Sequence, residues 1–176
     1  MDVIESEAGA GASGRSIWRS IRWPMVFLCC WLNCHCALRP IPRDLALYVN
    51  HDIYAIAELE NSGLQRYGAL TGNNYISDAA LRHALDMEII PAYTRFATLV
   101  CQIEPQTEPV QKLHALYRKA VNFRLQGFRV VLLAIDTQDP DLMRQANGML
   151  DQGQHFITQW RTLLAQMAGQ YGMERD

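Results

Sequence analysis

From Asp139 to Tyr171 the apolar residues of this chain return in sevens. Leu142, Met149, Phe156 and Leu163 fall on one line of a helix, and Ala146, Gly153, Trp160 and Met167 fall on the line beside it. A seam kept up over that length leaves few options. The segment is one long helix that buries one side against other helices. Asp139 offers a side-chain acceptor to the free backbone N–H groups at its start, and Pro140 suits the first helical position. At the α-helical rise such a helix is about 50 Å long.

Three further stripes precede it. After Arg39-Pro-Ile-Pro42, Asp44 is placed to begin a helix, along which Leu45, Val49, Ile53, Ile56, Gly63, Tyr67 and Leu70 recur at threes and fours. Gly72 suits the left-handed position that ends a helix. Ser77 caps a second helix with Leu81, Leu85, Ile89, Ala92, Phe96, Leu99 and Ile103 as its stripe. Pro91 lies inside that stripe and removes one hydrogen bond to Met87, which predicts a kink rather than a break. Thr107 with Pro109 opens a third, carried by Val110, Leu113, Tyr117, Val121, Phe128, Val131 and Ile135.

The spacing therefore predicts helices over about 43–71, 78–103, 108–136 and 140–171, joined by short loops. Short loops make sequential helices antiparallel neighbours. The expected fold is all-α, an up-down-up-down antiparallel four-helix bundle over residues 39–176. An open helical array would need an internal repeat, and the sequence contains none.

The N-terminus reads as an address. Residues 1–14 are small, polar and acidic, a composition that stays disordered. In residues 15–38, Arg15, Arg19 and Arg22 precede the apolar run Trp23–Leu38, the layout of a secretory signal. The run is shorter than the roughly twenty residues of a spanning helix. The arginines would hold that end in the cytoplasm and send the remainder across the membrane. Cleavage near Cys36 or Ala37 would release a periplasmic domain, whereas lipid attachment at Cys34 or Cys36 would leave it anchored. Asn33 stands where a lipoprotein signal carries a small residue, and Met25 offers a second start. The competing reading, a buried first helix of a cytosolic protein, lacks an amphipathic period. The expectation is an exported protein, periplasmic or anchored in the cell envelope, touching the membrane through its N-terminal segment.

Composition narrows the chemistry. Net charge is -2 with the charges scattered, so no basic face exists for nucleic acid. Of five cysteines, four crowd between Cys29 and Cys36, whereas a disulfide framework would spread them over the fold. Cys34-His35-Cys36 lacks the second ligand pair of a zinc site. Each helix carries one histidine (His51, His83, His114, His155), but counting from the turns puts them at different heights. No Glu-x-x-His pair, haem-attachment motif, nucleophile elbow, phosphate loop or dinucleotide fingerprint occurs. The pairs His51-Asp52 and His83-x-x-Asp86 belong to solvated helix faces. The sequence nominates no catalytic residue, no metal ligand and no cofactor.

One polar constellation stands out. Arg124 falls inside the stripe of the third helix. Reflecting its position through the loops lands on Glu88 in the second helix, beside Gly153 in the fourth, and, from Glu88, beside Glu60 in the first. A buried charge requires a partner, so Arg124 is expected to bond Glu88, with Glu60 as second acceptor and Gly153 leaving room. Such a layer fixes helix register; the sharper alternative is a pocket for a small polar ligand or ion.

The Cys-bearing leader, Glu88-Ile-Ile-Pro91, and Asp139-Pro-Asp-Leu142 followed by Ala146-Asn147 together resemble uncharacterised bacterial exported proteins and lipoproteins built as helical bundles. The resemblance covers roughly residues 25 to 172 and implies no activity. The expected function is a non-enzymatic extracytoplasmic bundle that binds a protein partner or scaffolds an envelope complex. A ligand-sensing bundle is the first alternative, opposed by the lack of a second membrane span, and a small metal-binding bundle is the second.

Overall fold

The computed structural model describes residues 40–173. The leader, with Cys34 and Cys36, lies outside the described residues. Within them the chain is all-α: four helices joined by short loops and no strand.

Helix α1 covers residues 41–68, with a π-helical stretch, Tyr48–Ile53, set between α-helical segments. It starts at Ile41, before Asp44. Asp44 therefore does not open its own helix but sits inside the first turn, 2% exposed. Leu70 closes the end, and Gly72, at φ 62°, begins a 3-10 turn, Gly72–Asn74.

Helix α2 covers residues 78–102. The Ser77 hydroxyl accepts from the Ala80 N–H and caps it. Its interior contains a second π-helical turn, Leu85–Ile89, one turn ahead of Pro91. Proline has no N–H, and its ring crowds the carbonyl four residues back. The chain relieves this with one extra residue in the turn, and the Ile90 N–H reaches back five residues to the Leu85 carbonyl. That insertion rotates everything after it. The buried line continues through Tyr93, Phe96 and Val100, while Ala92 and Leu99 fall to the margin.

Helix α3, Glu108–Thr137, ends where Gln138 turns left-handed at φ 53° and the Asp139 N–H bonds the Ala134 carbonyl. Helix α4, Pro140–Gln170, starts on Asp139, whose carboxylate accepts from the N–H groups of Asp141 and Leu142. From Phe128 to Ile135 α3 is apolar nearly all round, which suggests full burial, yet only Phe128, Val131 and Ala134 are buried there and Leu133 remains 48% exposed.

The core is aromatic at its centre. Tyr93 meets Phe96 and Phe128 edge-on, with ring centres 5.2 and 5.1 Å apart, and Tyr117 leans on Trp160 at 5.1 Å. Phe96 and Phe128 are fully buried, each worth roughly 1.5–3 kcal/mol over exposure. A smaller cluster of Leu45, Tyr48, Val110, Leu113 and Met167 closes the end that carries the starts of α1 and α3. Cross-helix pairs place the neighbours: Arg66–Glu88 links α1 to α2, Arg82–Asp136 links α2 to α3, and Phe123 stacks on Phe156 between α3 and α4. Among the described residues no helix is long and apolar enough to cross a membrane.

Candidate functional site

The stripe of α3 turns Arg124 inward, where its side chain is 11% exposed. Its guanidinium donates to Glu60 of α1 at 2.7 Å and to the Gln154 side-chain oxygen of α4 at 3.0 Å. The second oxygen of Glu60, a side chain 14% exposed, accepts from the Tyr117 hydroxyl at 2.6 Å. Both carboxylate oxygens are thus engaged, and one charged group ties three helices together. Burial, and then the Glu60 charge beside it, pushes the Tyr117 phenol far above its ordinary value, so it stays a hydrogen-bond donor.

Gly153 stands opposite. A β-carbon there would lie 2.8 Å from the Arg124 Cγ and 3.2 Å from the Ala120 carbonyl. The close approach of α4 to α3 is what gives the arginine stem its place. Gly153→Ala gains helix propensity but forces the root of Arg124 aside. A net loss of about 1–2 kcal/mol is expected, measured by urea unfolding; a gain in stability would show that the layer has slack.

Glu88 is not in this layer. The extra residue of the Leu85–Ile89 turn faces it outward, where it forms a two-point pair with Arg66 at 2.7 and 3.2 Å. Both side chains are nearly half exposed. Arg66 holds the Glu88 carboxyl below its usual range. The position at this height in α2 belongs instead to Tyr93, which the sequence reading passed over. Tyr93 is 0% exposed, and its hydroxyl faces Glu60 and Arg124 without reaching hydrogen-bond geometry. Burial raises its phenol strongly. A cleft of about 200 Å³ opens from the layer toward solvent, bordered by Glu60, Asn61, Tyr117, Arg124, Trp160 and Arg161.

Three more polar residues, Asp44, Thr107 and His114, are buried toward one end. The Asp44 carboxylate accepts from the backbone N–H groups of Gln106 and Thr107 and from the Thr107 hydroxyl, at 2.7 to 3.2 Å. Thr107 is the residue before α3, and its side chain caps nothing of its own helix. Asp44 caps α3 from another helix. His114 of α3 bonds the Val100 carbonyl through Nε2 at 3.1 Å and meets the Tyr48 hydroxyl through Nδ1 at 3.3 Å. The Trp160 indole N–H donates to the same hydroxyl at 3.2 Å.

The other histidines among the described residues do not join it. His51 pairs locally with Asp52 at 2.9 Å, and His83 and His155 are exposed. Among the described residues no group of three or more His, Cys, Asp or Glu could hold a metal ion. Cys101 is free and exposed. No protein-family model matches the chain, and no match is found among curated proteins or among solved structures.

Proposed function

We propose that this chain is a non-catalytic up-down-up-down four-helix bundle that acts by binding a protein partner in the cell envelope. The topology draws support from the order of cross-helix pairs. Rising numbers in α1 meet falling numbers in α2 (Gly63 with Tyr93, Arg66 with Glu88), while α1 and α3 rise together (Tyr48 with His114, Glu60 with Arg124). The observation that carries the function is the state of the central layer. Its charged groups are spent on one another, which suits a fixed register rather than a reaction. What remains for recognition is the surface, where Tyr54 is 78% and Ile76 72% exposed.

The Arg-flanked leader directs the bundle out of the cytoplasm. A reporter enzyme active only outside the cytoplasm, fused after Asp176, is expected to be active; an inactive fusion with a folded bundle would refute export. Photo-crosslinkers at positions 54 and 76 are expected to trap one discrete protein in cells, and equal labelling from exposed control positions would count against a partner surface. A ligand-sensing bundle is the second reading, drawn from the cleft beside Glu60 and Arg124. It requires a small polar molecule to protect Arg124 from dicarbonyl modification.

A further inference from the structure

His114 sits where all four helices meet. Its Nε2 faces a carbonyl oxygen, which can only accept, so that nitrogen carries the ring proton. In the neutral ring Nδ1 then has a free lone pair, and the Tyr48 hydroxyl must donate to it. The Tyr48 oxygen in turn accepts from the Trp160 indole. The result is a directed chain, Trp160 to Tyr48 to His114 to Val100, running from α4 through α1 and α3 to α2. The Tyr48-to-His114 link depends on Nδ1 lacking a proton, whereas the Nε2–H bond to Val100 survives protonation.

We propose that His114 is a proton-operated latch: neutral, it joins the four helices at the end where α1 and α3 begin, and protonated, it reverses its bond to Tyr48, strands the Tyr48 hydrogen and loosens that end. With a proton on Nδ1, the Tyr48 oxygen faces two donors, and its own hydrogen loses its acceptor. Tyr48 cannot answer by ionising, because burial pushes its phenol strongly upward. The surroundings also disfavour a second positive charge. Arg118 of α3 approaches the ring, Asp52 of α1 is the opposing carboxylate, and Val100 of α2 and Trp160 of α4 contribute no charge. A cleft of about 410 Å³ beside the ring, bordered by Glu104, Gln106, Gln111 and Arg118, gives protons a route in. Burial first, and Arg118 second, lower the His114 imidazole from its ordinary value.

The direction of the pH effect follows. The folded chain holds this proton less tightly than the unfolded chain, so the contribution is complete above about pH 6.5 and is lost as pH falls from there toward the folded value. Within that window the folded-to-unfolded ratio drops about tenfold per pH unit on account of this group.

The test uses the full chain with 15N-labelled histidine and indole, Trp160 being assigned through Trp160→Phe. The expected result is a His114 in the Nε2–H form at pH 7.5 that titrates below the ordinary imidazole value, with the Trp160 indole signal shifting at the same midpoint. Urea unfolding should show the extra acid sensitivity in the wild type and lose it in His114→Gln. If that variant does not fold, Tyr48→Phe serves: it removes the hydroxyl bonded to the neutral ring and should raise the His114 midpoint. A His114 that titrates at or above the ordinary imidazole value overturns the proposal. So does a low midpoint at which the Trp160 signal stays still.

Discussion

Asp44→Ala is expected to cost roughly 3–5 kcal/mol of folding stability, a large share of what a domain of this size possesses. The carboxylate serves two backbone N–H groups and a hydroxyl at the entry to α3. Thr107 is 8% exposed, so its N–H and hydroxyl would be stranded away from water at about 1–3 kcal/mol each. Gln106 is more open, and water can serve its N–H in part. Asp44→Asn is expected to recover only a fraction, because one carboxylate oxygen becomes an NH2 that points at donors. Urea unfolding of both variants followed by circular dichroism measures this. Exchange of the amides from Gln106 to Leu113 should accelerate ahead of the rest. A cost below about 1 kcal/mol for the alanine variant would mean that Thr107 caps α3 by itself.

The second large effect concerns Glu60 and Arg124. Glu60→Leu leaves an arginine that is 11% exposed with only the Gln154 amide, and Arg124→Met leaves a carboxylate with only the Tyr117 hydroxyl. Each single change is expected to cost about 3–5 kcal/mol. The double variant should cost clearly less than the sum, because neither charge is then stranded. Gln154 and Tyr117 soften both single losses, which puts the lower end of that range nearer the mark. Glu88→Leu should leave the unfolding midpoint where it was, since it removes one half of a solvated pair. A double-mutant cycle by urea unfolding decides. Additive losses at Glu60 and Arg124 would mean that the layer holds nothing together.

The contrast between Glu60 and Glu88 shows what could be read from the chain and what could not. The segments of α1, α3 and α4 between the loops and the Arg124 layer keep the ordinary helical period, the π-helical stretch of α1 lying before Glu60, so the inward direction of Arg124 and its neighbours Glu60 and Gly153 are legible. Glu88 was misjudged because reflection through loops assumes 3.6 residues per turn. The Leu85–Ile89 turn breaks that assumption within the very stretch being reflected. Pro91 announced a disturbance, but a kink and a π turn both answer a missing donor, and only the second re-phases the stripe. Tyr93 was lost to the same re-phasing. An acidic residue after Pro-Ile-Pro-Arg is a sound local signal for a helix start, and Asp44 carries that signal without filling the role. Its actual acceptor role depends on a residue 63 positions away. The height of His114 along its helix argues against a metal ligand but says nothing of its bonds to Tyr48 and Val100, which come from contacts no local pattern encodes.

One consequence of the Asp44 contact lies in the field of the helices themselves. Asp44 belongs to the first turn of α1 and bonds Gln106 and Thr107 at the entry to α3, so one carboxylate stands at the beginnings of two helices. Each beginning carries the positive end of a macrodipole, close to half an elementary charge. Set side by side, two such poles repel. A full negative charge between them turns that repulsion into attraction from both sides, worth about 0.3–1 kcal/mol per helix where water and salt still reach it, and up to about 2 kcal/mol where they do not. α1 and α3 are thereby held in step by a shared counter-ion built into the chain.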